Sequence, residues 1–155
     1  MPIEVTEHPF SVLEFAQEVM LAQPREKVFD VLTAQIGDWF TPRFIAGSKV
    51  VAEPWPGGRL YEDNGNGTGV LWDVCTAYVP PSYVTYESPW GFGGGSATII
   101  VTYKLTETDD GGTLVHSKHT ILGYISEESR EGYELHLEGP MSLQSLLDGY
   151  FAKNG

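Results

Sequence analysis

Apolar and polar side chains alternate along two segments of the chain, residues 11–21 and 97–105. Successive side chains of a β-strand point to opposite faces, so this alternation predicts two strands that are each buried on one face. Further strands are predicted where short apolar runs lie between turns rich in glycine and proline. These runs are residues 49–55, 59–63, 69–79, 82–88 and 113–125.

The apolar spacing changes to about 3.6 residues directly after Pro24, where an apolar stripe predicts a helix over residues 24–33. A second short helical turn is expected from Ile36 to just before Pro42. Two short helices therefore follow the first strand.

Helical spacing returns after Ser126, which is a plausible N-cap because Glu127 and Glu128 suit the first turn of a helix. Pro140 is unfavourable inside a helix, so we expect a kink or a restart there, followed by a terminal helix over residues 141–153. The strands are segregated from the helices along the sequence. This order predicts an α+β fold with the sheet packed on the last helix.

The size of the chain, 155 residues, predicts a single domain over residues 1–155. With 9 Lys and Arg against 21 Asp and Glu, the net charge is −12. This balance argues against a nucleic-acid partner and against an anionic membrane surface, since both attract basic proteins.

Cys75 is the only cysteine, so no internal disulfide is possible. The N-terminus is acidic and polar rather than a secretion signal, and no apolar stretch is long enough to span a bilayer. We therefore expect a cytoplasmic protein.

Several short motifs, in this order of elements, resemble the helix-grip superfamily, also called SRPBCC or START-like. It includes START domains, birch-pollen-allergen-like proteins and polyketide cyclases. The motifs are PREKVFDVLT after the first strand, Trp39-Phe40, Gly57-Gly58-Arg59, PPSYVTYESPW and SLQSLLDGYF. Within the superfamily, the chain looks most similar to the branch named after the activator of the heat-shock protein 90 ATPase.

This resemblance implies a curved antiparallel sheet of about six to seven strands wrapped around a long C-terminal helix. It also implies an apolar cavity between the sheet and that helix. It does not imply a particular reaction. Members bind lipids, hormones or polyketides, and some are enzymes. The fold therefore does not give the function.

Aromatic residues are the most informative candidates for such a cavity, because aromatic walls bind flat apolar ligands. Strand alternation turns Tyr103, Tyr86 and Val84 inward, with Trp72 and Val74 as further candidates. The alternative is that these rings simply fill the core. The residues expected to bind a ligand are Trp39, Phe40, Trp72, Tyr86, Trp90, Tyr103, His119, Leu143 and Leu147.

The histidines do not predict a metal site. His116 and His119 fall on opposite faces of one strand, and His136 is not in register with its acidic neighbours Glu134 and Glu138. No cofactor is expected, and Cys75 has no base beside it that would make it a nucleophile. His119 is a candidate for proton transfer, the alternative being a core histidine hydrogen-bonded to a neighbour such as Tyr86 or Tyr103.

Three functions fit these observations. The favoured one is binding of a small apolar or aromatic molecule without catalysis. The second is a cyclase-like or hydrolase-like enzyme that uses the same cavity. The third is a co-chaperone type of protein interaction, which a pull-down with the chaperone would test. Both a monomer and a homodimer are compatible with the sequence.

Overall fold

The computed structural model describes residues 1–89, 91 and 96–155. Residues 1–10 form no helix or strand. The seven strands are β1 (Ser11–Leu21), β2 (Lys49–Ala52), β3 (Arg59–Asp63), β4 (Gly69–Val79), β5 (Tyr83–Ser88), β6 (Ala97–Glu107) and β7 (Thr113–Gly123). The helices are α1 (Arg25–Thr33), α2 (Ile36–Trp39), α3 (Glu127–Glu134) and α4 (Leu143–Asn154).

All seven strands belong to one antiparallel sheet with the order β1-β7-β6-β5-β4-β3-β2. The strands from β2 to β7 pair with their neighbours in sequence, and β7 then pairs with β1 along its full length. The first strand of the chain is thereby brought beside the last, and β1 and β2 become the two edges. This arrangement confirms the predicted α+β helix-grip fold.

The C-terminal helical region is divided in two, as Pro140 predicts. α3 begins at the cap Ser126, whose hydroxyl accepts a hydrogen bond from the Ser129 amide. A single 3₁₀ turn, Gly139–Met141, contains the proline, and Ser142 caps α4 in the same way. The helix that packs on the sheet is therefore only 12 residues long, and the segment before it is free to form part of a cavity wall.

The core lies between the sheet and helices α1, α2 and α4. Leu143, Leu147 and Phe151 bury one face of α4 against it, and Val28 and Leu32 do the same for α1. A second, smaller cluster joins Ile99 and Ile121 of the sheet to Tyr133 of α3 and nearby residues. None of the helices in the described ranges is long and apolar enough to cross a membrane.

An irregularity in β4 changes which of its side chains point inward. Leu60 pairs with Asp73 but the next residue, Tyr61, pairs with Leu71, so Trp72 is an extra residue in the ladder. Such a bulge shifts the alternation of the strand beyond it. The inward residue is therefore Cys75, which is 2% exposed, and the expectation that Val74 points inward is wrong.

Candidate functional site

A cavity of about 390 Å³ lies between the sheet and the helical layer. Its wall is formed by strands β1 and β4 to β7, by α2 and the loop after it, and by the chain from Tyr133 to Leu146. Seven of the sequence-predicted ligand-binding residues line it: Trp39, Phe40, Trp72, Tyr86, Tyr103, His119 and Leu143.

The other two predicted residues have different positions. Leu147 is fully buried in the core one helical turn beyond Leu143, and it is not among the residues that line the cavity. Trp90 lies outside the described residues, although Gly91 beside it does line the cavity. The sequence did not point to several further wall residues: Phe15, Gln17, Arg43, Phe44, Asp73, Ser88 and His136.

Aromatic rings on α2 and β4 form one end of the cavity. Phe40 packs edge-on against both Trp39 and Trp72, with ring centroids 5.9 and 5.6 Å apart. The Trp39 indole N–H donates to the Val31 carbonyl at 2.8 Å, which ties α2 to α1. These contacts hold the rings in fixed orientations and leave their remaining faces toward the cavity.

A hydrogen bond to Glu62 holds the Trp72 side chain in place. The Glu62 side chain has no exposed surface, and its carboxylate accepts hydrogen bonds from the Trp72 indole at 2.6 Å and from the Ser48 hydroxyl at 2.7 Å. It also accepts from the backbone amides of Phe44 and Ile45. Burial alone would raise the pKa of Glu62, but these hydrogen bonds outweigh it and the pKa is lowered. Glu62 is therefore a buried structural carboxylate.

Arg43 lies in the wall beside Trp72, with its guanidinium 5.7 Å from the ring centroid. Its two terminal nitrogens donate to three backbone carbonyls, those of Gly37, Phe40 and Pro42. Arg43 thus braces the loop after α2 with three of its five N–H donors.

Asp73 is the acidic side chain among the described residues that line the cavity. The bulge in β4 lets Trp72 and Asp73, which are adjacent in sequence, both reach the cavity. Burial raises the pKa of Asp73 to about 6, and a hydrogen bond with Ser88 opposes part of this shift. At neutral pH the carboxyl is therefore mostly ionised, at a cost in free energy.

Two tyrosines lie near Asp73. Burial raises the pKa of Tyr103, and the negative charge of Asp73 raises it further. The pKa of Tyr86 is raised by burial and by several neighbours that include Asp73. Both phenols therefore stay neutral and can act as hydrogen-bond donors.

His119 faces the cavity from β7, as its alternation with Ser117 and Ile121 predicts. Its ring lies 5.9 Å from that of Phe15 and 6.4 Å from that of Tyr103. The hydrogen-bonding partner that the described residues provide is the Ser117 hydroxyl, 3.5 Å from Nδ1, rather than a tyrosine. Burial lowers the pKa of His119 to about 4, and His136 contributes to this. The imidazole is thus neutral at physiological pH.

His136 enters the same wall because α3 ends at Glu134, which places His136 in the turn beyond the helix. Its ring is 6.1 Å from that of Phe40, and its Nδ1 is 3.3 Å from the Met141 carbonyl oxygen. Burial lowers the pKa of His136, although the contact with Met141 opposes this.

We expect His119 to make the stability of the fold depend on pH. The unfolded chain binds a proton at the ordinary value of about 6.5 and the folded chain only at about 4. The unfolded state therefore binds the proton more tightly, and stability is lost as the pH falls from about 6.5 toward about 4. Between these values His119→Gln is expected to remove a loss of up to about 3 kcal/mol.

Urea unfolding of both proteins at a series of pH values measures this contribution. Asp73, which titrates in the same range with the opposite sign, is common to both proteins and cancels in the difference. Parallel stability curves for wild type and His119→Gln would contradict the assignment.

The other histidine and the cysteine considered in the sequence analysis, His116 and Cys75, do not line the cavity. His116 points to the solvent face of β7, opposite His119, where it is 3.3 Å from Glu18. Cys75 is buried, which raises the pKa of its thiol. Among the residues described, no three His, Cys, Asp or Glu side chains form a group that could hold a metal ion.

Solved structures of similar shape include a protein from Rhizobium loti, with a TM-score of 0.68 and 18% identity over 96% of this chain and 100% of that one. A protein of unknown function from Staphylococcus aureus has a TM-score of 0.62 and 15% identity over 94% of this chain and 97% of that one. Ara h 8.0201 has a TM-score of 0.62 and 17% identity over 92% of this chain and 99% of that one. At these identities the similarity concerns the fold.

Sequence comparison gives the family. No curated protein matches the chain significantly. Residues 22–147 match the family described as "Activator of Hsp90 ATPase homolog 1-like protein". This match covers most of the chain, including α1, α2, all strands from β2 to β7 and the first part of α4. The chain therefore belongs to the activator of Hsp90 ATPase homolog 1-like family, within the SRPBCC helix-grip superfamily.

Proposed function

We propose that the protein binds a small apolar or aromatic molecule in the cavity between the sheet and the helical layer. The observation that carries this proposal is the cavity itself: about 390 Å³, with a wall that is mostly aromatic and aliphatic and contains a few polar groups. Pockets that bind small organic molecules have this size and this composition. Burial of apolar area supplies the affinity, and the polar groups select the orientation.

A panel of lipids, flavonoids, steroids and aromatic acids tests the proposal by thermal unfolding. A ligand present at about 100 times its dissociation constant adds about 2.7 kcal/mol to the stability. For a domain of this size, the unfolding temperature should rise by roughly 5–10 °C. Because Trp39 and Trp72 line the cavity, quenching of tryptophan fluorescence should accompany the shift.

A pair of valine variants locates the binding. Val101 of β6 lines the cavity, so Val101→Trp should fill it and abolish the thermal shift. Val12 of β1 is 61% exposed, and Val12→Trp should leave the shift unchanged. A shift that persists in Val101→Trp would place the ligand elsewhere and contradict the proposal.

A second candidate function is acid–base catalysis of the cyclase or hydrolase type. The presence of His119, His136 and Asp73 in one cavity wall favours it, because neutral imidazoles and a carboxyl that titrates near 6 can accept and return protons. Compounds that the panel identifies would then be turned over. His119→Ala should abolish turnover while the protein stays folded, and a fully active variant would exclude this role.

A further inference from the structure

Asp73 is the acidic group that the described residues supply to the cavity wall, and its side chain is partly buried among mostly apolar neighbours. Asp73 lines the cavity, and among the described residues the hydrogen bond that lowers its pKa comes from Ser88, whose hydroxyl also donates to the Gly91 carbonyl at 3.2 Å. Burial of an ionised carboxylate is costly unless a cation or several donors compensate it. In the same protein the buried charge of Glu62 is compensated by four groups that donate hydrogen bonds to it: two backbone amides, a serine hydroxyl and an indole N–H.

Cationic side chains of the wall do not neutralise Asp73. Three N–H groups of Arg43 donate to backbone carbonyls, and its guanidinium lies 5.7 Å from the centroid of the Trp72 ring, whose indole N–H donates to Glu62. His119 and His136 are neutral at physiological pH because burial lowers the pKa of both. Among the described residues, nothing cationic contributes to the interactions that set the pKa of Asp73. The Asp73 carboxylate can therefore form an ion pair with a cationic group of a ligand that enters the cavity.

The walls around this carboxylate also suit a cation. The rings of Phe15, Phe40, Tyr86 and Tyr103 line the same space. The face of an aromatic ring carries partial negative charge and attracts ammonium groups, most strongly where water is excluded. The net charge of −12 would in addition raise the local concentration of cations and lower that of anions.

We propose that the ligand of this cavity is an aromatic amine, with its rings against the aromatic wall and its ammonium group paired with the carboxylate of Asp73. This inference rests on the proposed function and names the chemical class of its ligand. It also gives the Asp73 carboxylate a role, since the packing of the core does not require a charged group at this position.

Calorimetric titration with three matched compounds at neutral pH tests the inference. 2-Naphthylmethylamine, 2-naphthylmethanol and 2-naphthoate share one ring system and differ in the charge of the polar group. Wild type should bind the amine at least about tenfold more tightly than the alcohol, the ratio expected of one charge-assisted hydrogen bond. The carboxylate should bind most weakly. This comparison uses only the wild-type protein and does not depend on any variant.

Three variants then assign the preference. In Asp73→Asn the ratio of amine to alcohol affinity should fall to near one. Glu87→Gln, which removes the same charge from an exposed site on β5, should keep the wild-type ratio. Val101→Trp should abolish amine binding, which excludes attraction to the acidic surface as the cause.

The outcomes separate this inference from the function on which it rests. If the alcohol binds wild type as tightly as the amine, the inference is overturned and the cavity remains a site for neutral ligands. A preference that survives in Asp73→Asn also overturns it. If neither compound binds while the wider panel contains a ligand, the inference again fails. If no compound of the wider panel binds either, the proposed function fails together with the inference.

Discussion

Glu62→Gln is expected to lower the free energy of unfolding by about 3 kcal/mol or more, because it breaks a hydrogen-bonded cluster with no solvent access. The carboxylate accepts from Trp72, Ser48 and two backbone amides of the loop after α2. The glutamine amide keeps one acceptor oxygen but turns an N–H₂ group toward the remaining donors. Each buried donor left without a partner costs about 1–3 kcal/mol.

Urea unfolding at neutral pH measures this loss, and Glu87→Gln on the exposed face of β5 is the matched control. The control should change the stability by less than about 0.5 kcal/mol. Since the same carboxylate orients Trp72 in the cavity wall, Glu62→Gln should also change the tryptophan fluorescence of the folded protein. Equal stabilities of the two variants would show that the Glu62 cluster does not hold the loop.

The same carboxylate contributes to acid unfolding. The pKa of Glu62 is lower in the folded protein than in the unfolded chain, where it has its ordinary value. Its contribution to stability is therefore fully present above the unfolded value and is lost as the pH falls through the folded one. Wild type and Glu62→Gln should accordingly converge in stability at strongly acidic pH.

Asp73→Asn is expected to act in the opposite direction and stabilise the protein at neutral pH by about 1–3 kcal/mol. The pKa of Asp73 rises from 3.8 to about 6 on folding, so the folded state binds the proton more tightly than the unfolded chain. Stability from this group is present below about pH 4 and is lost as the pH rises through about 6. A shift of about two pKa units corresponds to a cost of up to about 3 kcal/mol in the ionised form. Asparagine carries no charge and retains the contact with Ser88.

Urea unfolding at about pH 4 and at neutral pH checks both the sign and the pH range. The variant and wild type should differ little at the acidic pH and most at the neutral one. A variant that is less stable than wild type at neutral pH would contradict the view that the carboxylate is uncompensated. Residues that cost stability and yet line a cavity are typical of binding and catalytic sites, where function opposes stability.

How far the sequence predicts this structure depends on whether a feature is local. Burial on one face of a strand leaves a period of two, so β1, β6 and the inward position of His119 followed directly from the alternation, while β7 followed from the apolar run after a glycine-rich turn. Pro140 and the cap Ser126 act within one helical turn, and they predicted the break in the C-terminal helical region and the start of α3. Helix α1 was predicted because its signal, apolar residues at helical spacing, is also contained in one short segment.

Features that depend on pairing between distant segments were missed. The bulge at Trp72 is defined only relative to β3, and it decides that Asp73 reaches the cavity and that Cys75 rather than Val74 is buried. His136 enters the wall because α3 stops two residues before it. One signal was present for Glu62, since alternation in β3 puts it on the same face as Leu60, which is buried in the core.

The proposed function requires the cavity to be a ligand site and not an unfilled part of the core. A crystal structure of the wild-type protein soaked with 2-naphthylmethanol distinguishes the two, since this neutral compound does not require Asp73 to be charged. We expect the naphthalene ring inside the cavity, in contact with Phe40 and Tyr103, with the sheet and helices in the positions described. A cavity closed by side chains, with the compound absent or bound only on the outer surface, would contradict it.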